Sequence, residues 1–393
     1  MTKYASRMAL ATPSFIRESL KLAKDPSIIS FAGGNPDPGY FPWEALRDCA
    51  EKAIAADPAN TLQYSVTEGY LPLRKKLIER MAAVGVNCEL ENLVVTTGAQ
   101  QGLDLVAKMY LDKGDKVIVE SPTYMGAINA FKFYEPRFLE AEMDEDGMRM
   151  DALEALLQQN PDTKFIYTIP DFQNPTGLCM SRERREQLVE LAEKYDVMIL
   201  EDNPYYYLRY DGEALPPVKH FDKYGRVIYL GSLSKVLCPG LRVGWMVADP
   251  KVVQGFVYLK QAADLHVNEL GQRMFYEYMV NYGLDEHIAE INAQYKVKKD
   301  LMVKLIRELF PADIRYTEPD GGLFLWLTFP EGTDAQQLFN YCHKAEQVIF
   351  VPGDTFYPYG GHPNTARMCF AMVPPEKIQE GMERLGRALS RKE

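Results

Sequence analysis

The sequence predicts an α/β fold, a large three-layer α/β/α unit around a mostly parallel sheet followed by a smaller α+β unit. Three observations predict it. From about residue 90 to 250, short apolar runs alternate with amphipathic stretches. Beyond about residue 265 long helical stretches take over, and nearer the C-terminus short strands and helices return. Strands with little internal alternation are buried on both faces, and the helices between them supply the crossovers of a parallel sheet.

The elements follow in order. "NLVVTTG" reads as a strand and "AQQGLDLVAKMYL" as the helix after it. "KVIVE" is a strand and "MGAINAFKFY" a helix; "FIYTIP", "VMILED", "RVIYLGS" and "RVGWMVAD" are further strands, with the helix "SRERREQLVELAEKY" between the first two. Helices over residues 269–282 and 284–310 come next, the second long enough to bridge two domains. "GGLFLWLTF", "VIFVPG" and "ARMCFAMV" then read as strands, with helices near 334–346 and 375–391. At 393 residues the chain exceeds the roughly 250–300 residues at which one core stops growing. The expected division is an N-terminal segment (1–60) packing on the small domain and the substrate site, a large domain (61–268) and a small C-terminal domain (269–393).

Composition narrows the function. With 47% hydrophobic and 25% charged residues the chain is an ordinary globular one. A net charge of −11 and the lack of a polybasic run argue against nucleic acid as a partner. The first twenty residues lack the apolar core of a signal peptide and no window is apolar enough to span a bilayer, so no membrane partner and a cytoplasmic location are expected. The six cysteines form no CxxC pair and the five histidines are dispersed, which predicts reduced thiols and no metal site.

Several chemistry-bearing residues fall where strands end. Gly98, Ala99 and Gln100 stand at a strand-to-helix junction, where unpaired N–H groups and the helix dipole can hold a phosphate; a turn chosen for geometry reads the same way. No GxxxxGK[ST] or GxGxxG occurs. Asp202 closes "VMILED", in the crevice position of α/β folds, and alone is equally a turn or cap residue. Asn174 in "DFQNPTG" is either part of a tight loop or an amide presented to a ligand. Tyr124 in "SPTYMG" either packs or covers a planar ligand. "YLGSLSKVLCPGLRVGW" sets Ser232, Ser234 and Lys235 after one strand and Arg242 at the start of another. A helix terminus, two hydroxyls and an arginine suit a phosphate, Asp202 suits a ring cation, and Lys235 can form an imine.

Their order resembles the fold type I pyridoxal-phosphate aminotransferases of class I/II. The likeness spans nearly the whole chain, from "ISFAGGNPDPGYFP" and "QYSVTEGYLPLR" through "TTGAQQGLDL", "NPTG", "EDNPY", "GSLSK" and "GLRVGW" to "ARMCFA". The two N-terminal stretches resemble the subgroup of 2-aminoadipate, kynurenine and broad-specificity aromatic or branched-chain aminotransferases.

The resemblance implies pyridoxal 5'-phosphate as cofactor, held in the large domain, with amino acids and 2-oxo acids as substrates. It implies that Lys235 carries the cofactor as an imine and then shuttles a proton, that Asp202 keeps the pyridine nitrogen protonated, and that Tyr124 stacks on the ring. Asn174 and Tyr205 would hydrogen-bond the ring oxygen. Gly98, Ala99, Gln100, Ser232, Ser234 and Arg242 would hold the phosphate. Tyr64 would reach it from the neighbouring subunit, which implies a homodimer with shared active sites. Arg367 would take the substrate α-carboxylate in two parallel hydrogen bonds. Gly34 would let backbone approach the substrate or else be a plain turn glycine, and Arg17 in "SFIRESL" would meet an acidic side chain or else be an exposed helical arginine.

Two rivals stand beside transamination. A β-lyase, racemase or decarboxylase on the same cofactor would keep the lysine and the aspartate. The other is a non-catalytic ligand-sensing module, as in regulators that fuse an aminotransferase-like domain to a DNA-binding one; the acidic chain, which begins almost directly with the aminotransferase-like segment, argues against it.

Overall fold

The computed structural model describes residues 3–11 and 15–391, the side chains of Ile16, Arg17 and Leu20 excepted. A two-residue strand, β1 (Ile29–Ser30), comes first. The large sheet is then built from β2 (Leu93–Thr96), β3 (Lys116–Ser121), β4 (Arg137–Asp144), β5 (Gly147–Met148), β6 (Thr163–Thr168), β7 (Met198–Asn203), β8 (Val227–Ser232) and β9 (Gly244–Val247). Beyond it lie β10 (Arg315–Tyr316), β11 (Phe324–Thr328), β12 (Val348–Ile349), β13 (Val351–Pro352) and β14 (Thr365–Cys369).

The large sheet has the order β2, β9, β8, β7, β6, β3, β4, β5. From β8 through β7, β6 and β3 to β4 all neighbours are parallel, while β9 runs antiparallel to β2 and β8, and β5 to β4. Successive residues of the central strands serve opposite faces. Val117, Val119, Phe165, Tyr167 and Leu200 enter one apolar cluster; Ile118, Ile166 and Ile199 enter the other. The first cluster takes Leu103 and Val106 from the helix Ala99–Tyr110, and the second takes Leu188 and Val189 from the helix Arg182–Lys194. Helices therefore cover both faces of the sheet, which accounts for the continuous apolar runs in the sequence.

The helix Leu284–Leu309 leads to an antiparallel four-stranded sheet of order β10, β11, β14, β13. β1 pairs in parallel with β12, so the chain near residue 30 lies against this C-terminal unit. Two expected boundaries shift. Arg242 precedes β9 rather than opening it, because it adopts a left-handed conformation (φ 53°) and the strand starts at Gly244. The helix expected near 334–346 is α-helical over Ala335–Tyr341 and widens to a π turn over Cys342–Glu346. Among the described residues no helix is long and apolar enough to cross a membrane.

Candidate active site

Register brings the strand ends to one edge. Gly244 lies opposite both Thr96 and Ser232, and Gly231 opposite Asn203. The turns after β2, β6, β7 and β8 and the turn before β9 therefore open on the same side of the sheet, where α/β folds bind ligands.

Gly98 ends the β2 turn with φ 71° and opens the helix Ala99–Tyr110, which has no side-chain cap at its start. A Cβ on Gly98 would stand 2.4 Å from Arg242 Nη2, so only glycine lets the arginine lie across this turn. Arg242 donates from Nη2 to Thr97 O (3.3 Å) and from Nη1 to Pro239 O (3.3 Å). Ser232 Oγ donates to Ser234 Oγ (2.8 Å) and accepts from Ser234 N (3.1 Å). Gln100 Nε2 donates to Gly126 O (3.1 Å), tying the helix start to the segment that bears Tyr124. The start of a helix, two linked hydroxyls and an arginine thus converge, a donor set suited to a phosphate.

Asp202 is buried at the end of β7. Its Oδ2 accepts from Tyr167 OH (3.0 Å), while Oδ1, equally buried, has no partner. Burial pushes its pKa up to about 7, against the Tyr167 hydroxyl and the Lys235 charge, which lower it. Lys235 Nζ donates to Gly34 O (2.9 Å), and burial lowers its pKa to about 8, with Arg367 and Arg242 acting in the same sense.

Arg367 projects from β14 and is buried. Nη1 donates to Asn174 Oδ1 (2.9 Å), and Nη2 to Ala32 O (2.9 Å) and Gly33 O (3.2 Å). Nε has no partner, and the guanidinium carbon lies 4.4 Å from the centre of the Phe324 ring. Asn174, with its oxygen turned to Arg367, donates from Nδ2 to Tyr205 OH (3.2 Å). That leaves the Tyr205 proton free to be donated onward. One amide thereby links the guanidinium of the C-terminal sheet to the β7 turn.

The Tyr124 ring folds over Gly126, where a Cβ would lie 2.3 Å from Tyr124 Cζ. Gly34 has no positive φ, and a Cβ there would make ordinary contacts, 3.5 Å from Phe324 and 3.8 Å from Arg367; its backbone oxygen is what faces Lys235. Tyr64 stands apart on the surface, 78% exposed, its ring edge-to-face with that of His266 at 5.9 Å between ring centres. Arg17 belongs to the helix Phe15–Leu22, and its side chain lies outside the described residues.

Three participants are not among the residues singled out from the sequence, although Glu120, the carboxylate that closes "KVIVE", carries the same strand-end signal as Asp202. Tyr167 sits mid-strand as one more apolar residue. Glu120 accepts from Gln173 Nε2 (3.0 Å) and Ile169 N (3.2 Å), anchoring the loop that carries Asn174. Gln173 in turn donates to Pro122 O (2.8 Å) and accepts from Thr176 N (2.9 Å).

The chain matches known proteins over nearly its whole length. Residues 27–385 match the family model described as aminotransferase class I and II. The chain is 42% identical over 393 residues to aromatic-amino-acid aminotransferase 1 of Thermococcus litoralis, covering 98% of this chain and 94% of that one. It superposes with a TM-score of 0.94 on the kynurenine aminotransferase of Pyrococcus horikoshii, solved with PMP, KYN as substrates and KYA as products. That pair is 39% identical, with 98% of this chain and 96% of the other covered. LysN, the α-aminoadipate aminotransferase of Thermus thermophilus, solved with N-(5'-phosphopyridoxyl)-L-leucine, gives a TM-score of 0.90 at 40% identity. There 98% and 97% of the two chains are covered.

Proposed function

This chain belongs to the class I and II aminotransferases and is a pyridoxal-phosphate-dependent transaminase; from that premise we propose that it moves the amino group of an L-amino acid of 2-aminoadipate, aromatic or branched-chain type to a 2-oxo acid such as 2-oxoglutarate. Arg367 carries the reading. Among the described residues no carboxylate pairs with this buried guanidinium, and its Nε lacks a partner. A buried cation held only by neutral oxygens and by ring faces suits a carboxylate.

The residues present fit the cofactor. The lone buried oxygen of Asp202 suits a protonated ring nitrogen, and the uncapped helix start at Gly98 with Arg242, Ser232 and Ser234 suits a phosphate. Bound pyridoxal phosphate supplies the carbonyl that takes up and returns the amino group and the ring that draws off electron density. Lys235 Nζ would hold it and then move a proton at the substrate Cα, for which an amine with a pKa near 8 is well matched. Asn174 and Tyr205 would orient it through the ring oxygen, and Tyr124 would cover the ring. Arg367 would fix the α-carboxylate, and Gly34 O, now bonded to Lys235 Nζ, would line the substrate side. Tyr64, exposed in the single chain, would complete the phosphate site of a partner in a homodimer.

The test is a donor panel. 2-Aminoadipate, kynurenine, aromatic and branched-chain amino acids are each supplied with 2-oxoglutarate and glutamate is measured; failure of every donor rejects the substrate assignment. Arg17→Ala is expected to reduce turnover of acidic donors selectively. Equal loss across the panel would contradict that role.

A further inference from the structure

We propose that Lys260 and Asp264 are positioning residues for the cofactor phosphate: the pair pins the Thr97–Gly98 turn, and Lys260 cancels a carboxylate charge that would otherwise face an anion site. The proposal rests on the reading that this turn cradles the phosphate.

Lys260 lies on the helix Pro250–Ala263 and is fully buried; Asp264 ends that helix. Lys260 Nζ donates to Asp264 Oδ1 (2.7 Å) and to Gln101 Oε1 (3.1 Å). Asp264 Oδ2 accepts from Gln101 Nε2 (2.6 Å) and from Thr97 Oγ1 (2.9 Å). Gln101 Oε1 also accepts from Thr97 N (2.9 Å). All three polar groups of Thr97 are therefore fixed: the N–H by Gln101, the hydroxyl by Asp264 and the carbonyl by Arg242 Nη2. Apart from the i, i+4 bond within the pair, each bond points away from the helix that carries the pair and toward the turn.

A structural ion pair needs only its partner, whereas this one holds, through Thr97 and Gln101, the residues on either side of Gly98. Its charges matter as much as its bonds. Asp264 lies one hydrogen bond from the turn, and without the ammonium its carboxylate would repel a phosphate dianion and leave a neutral ligand unaffected.

Cofactor affinity separates these consequences from general damage. Full-length protein freed of cofactor is titrated with pyridoxal phosphate and, separately, with pyridoxal, which lacks the phosphate. Lys260→Met is expected to weaken pyridoxal phosphate binding by about tenfold or more while changing pyridoxal binding by less than about threefold. The double variant Lys260→Met/Asp264→Asn, which removes both charges, is expected to regain part of that loss. Equal weakening for both ligands, an unchanged ratio, or a double variant as poor as the single one would overturn the proposal. If Lys260→Met does not fold, Thr97→Val, which deletes one hydroxyl and no charge, is put to the same comparison and is expected to lower the ratio. Arg242→Ala serves as reference: if it leaves the ratio unchanged, the cradle reading itself has failed, independently of Lys260.

Discussion

Lys235 and Asp202 show how one burial acts in opposite directions on two charges. Desolvation penalises the charged form of each, so the lysine falls to about 8 and the aspartate rises to about 7. For Lys235 the neutral amine is then the main form above about pH 8, well below the ordinary lysine value of 10.5. In the cofactor-free protein, acylation of Lys235 by an amine reagent is expected to rise through a midpoint near 8, read by mass spectrometry at that residue, while exposed lysines titrate far higher. A midpoint near the ordinary value would mean that the amine is solvated. For Asp202 the folded chain holds a proton that the unfolded chain has already released between pH 3.8 and about 7. Its contribution to stability is thus present at low pH and lost as pH rises through that window. Asp202→Asn removes the titration and keeps the shape. The melting temperature of the cofactor-free variant is expected to gain on the parent's as pH rises from about 4 to about 8. Transaminase activity is expected to fall roughly 10²- to 10³-fold, the usual cost of removing one preorganised electrostatic partner.

At the scale of elements, the helix Met125–Phe131 sets propensity against placement. Gly126 in its first turn lowers helix stability, yet any side chain there meets the Tyr124 ring. Gly126→Ala is expected to add up to roughly 1 kcal/mol of helix propensity while swinging Tyr124 off its seat. The melting temperature is expected to hold or rise as activity falls toward that of Tyr124→Ala; a variant with parental activity would show that the ring position is immaterial. The sequence exposes elements of this kind unevenly. The strands "VMILED" and "RVIYLGS" and the turns after them are legible because a strand apolar on both faces that stops at polar residues must stop at the sheet edge. β4, "RFLEAEMD", is not legible. It pairs with β3 over Arg137–Glu142 but with β5 only over Met143 and Asp144, so its outer edge is mostly free and carries charge, as edges do. Tyr167 is hidden for the opposite reason: in a run apolar on both faces nothing marks which residue turns toward Asp202. The Lys260–Asp264 pair, at i and i+4, looks like a solvated helical ion pair, and only the structure shows the lysine to be buried and the pair to reach the Thr97 turn.

The whole molecule raises the question of what the surface near the site is for. Leu62, Tyr64, Val66 and Leu265 are 72%, 78%, 58% and 53% exposed. The contact of Tyr64 with His266 brings the first three beside the last, and clustered apolar exposure of this kind marks an interaction surface. It lies next to Asp264, hence beside the Thr97 turn. A second copy seated there by a twofold axis would meet the same patch and could deliver Tyr64 to the neighbouring site. Sedimentation is expected to give twice the 44.8 kDa chain mass. Sharing of sites has a sharper consequence. Lys235→Ala and Tyr64→Ala are each expected to be defective alone. In a mixed dimer, one site would combine the intact lysine of the Tyr64→Ala subunit with the intact tyrosine of the Lys235→Ala subunit. Co-expression in equal amounts makes half of the dimers mixed with one good site in each, so about a quarter of all sites regain function. Recovery toward that level after mixing two poor enzymes requires a residue crossing between subunits. No recovery, with mixed dimers demonstrated by differential tags, would confine Tyr64 to its own chain.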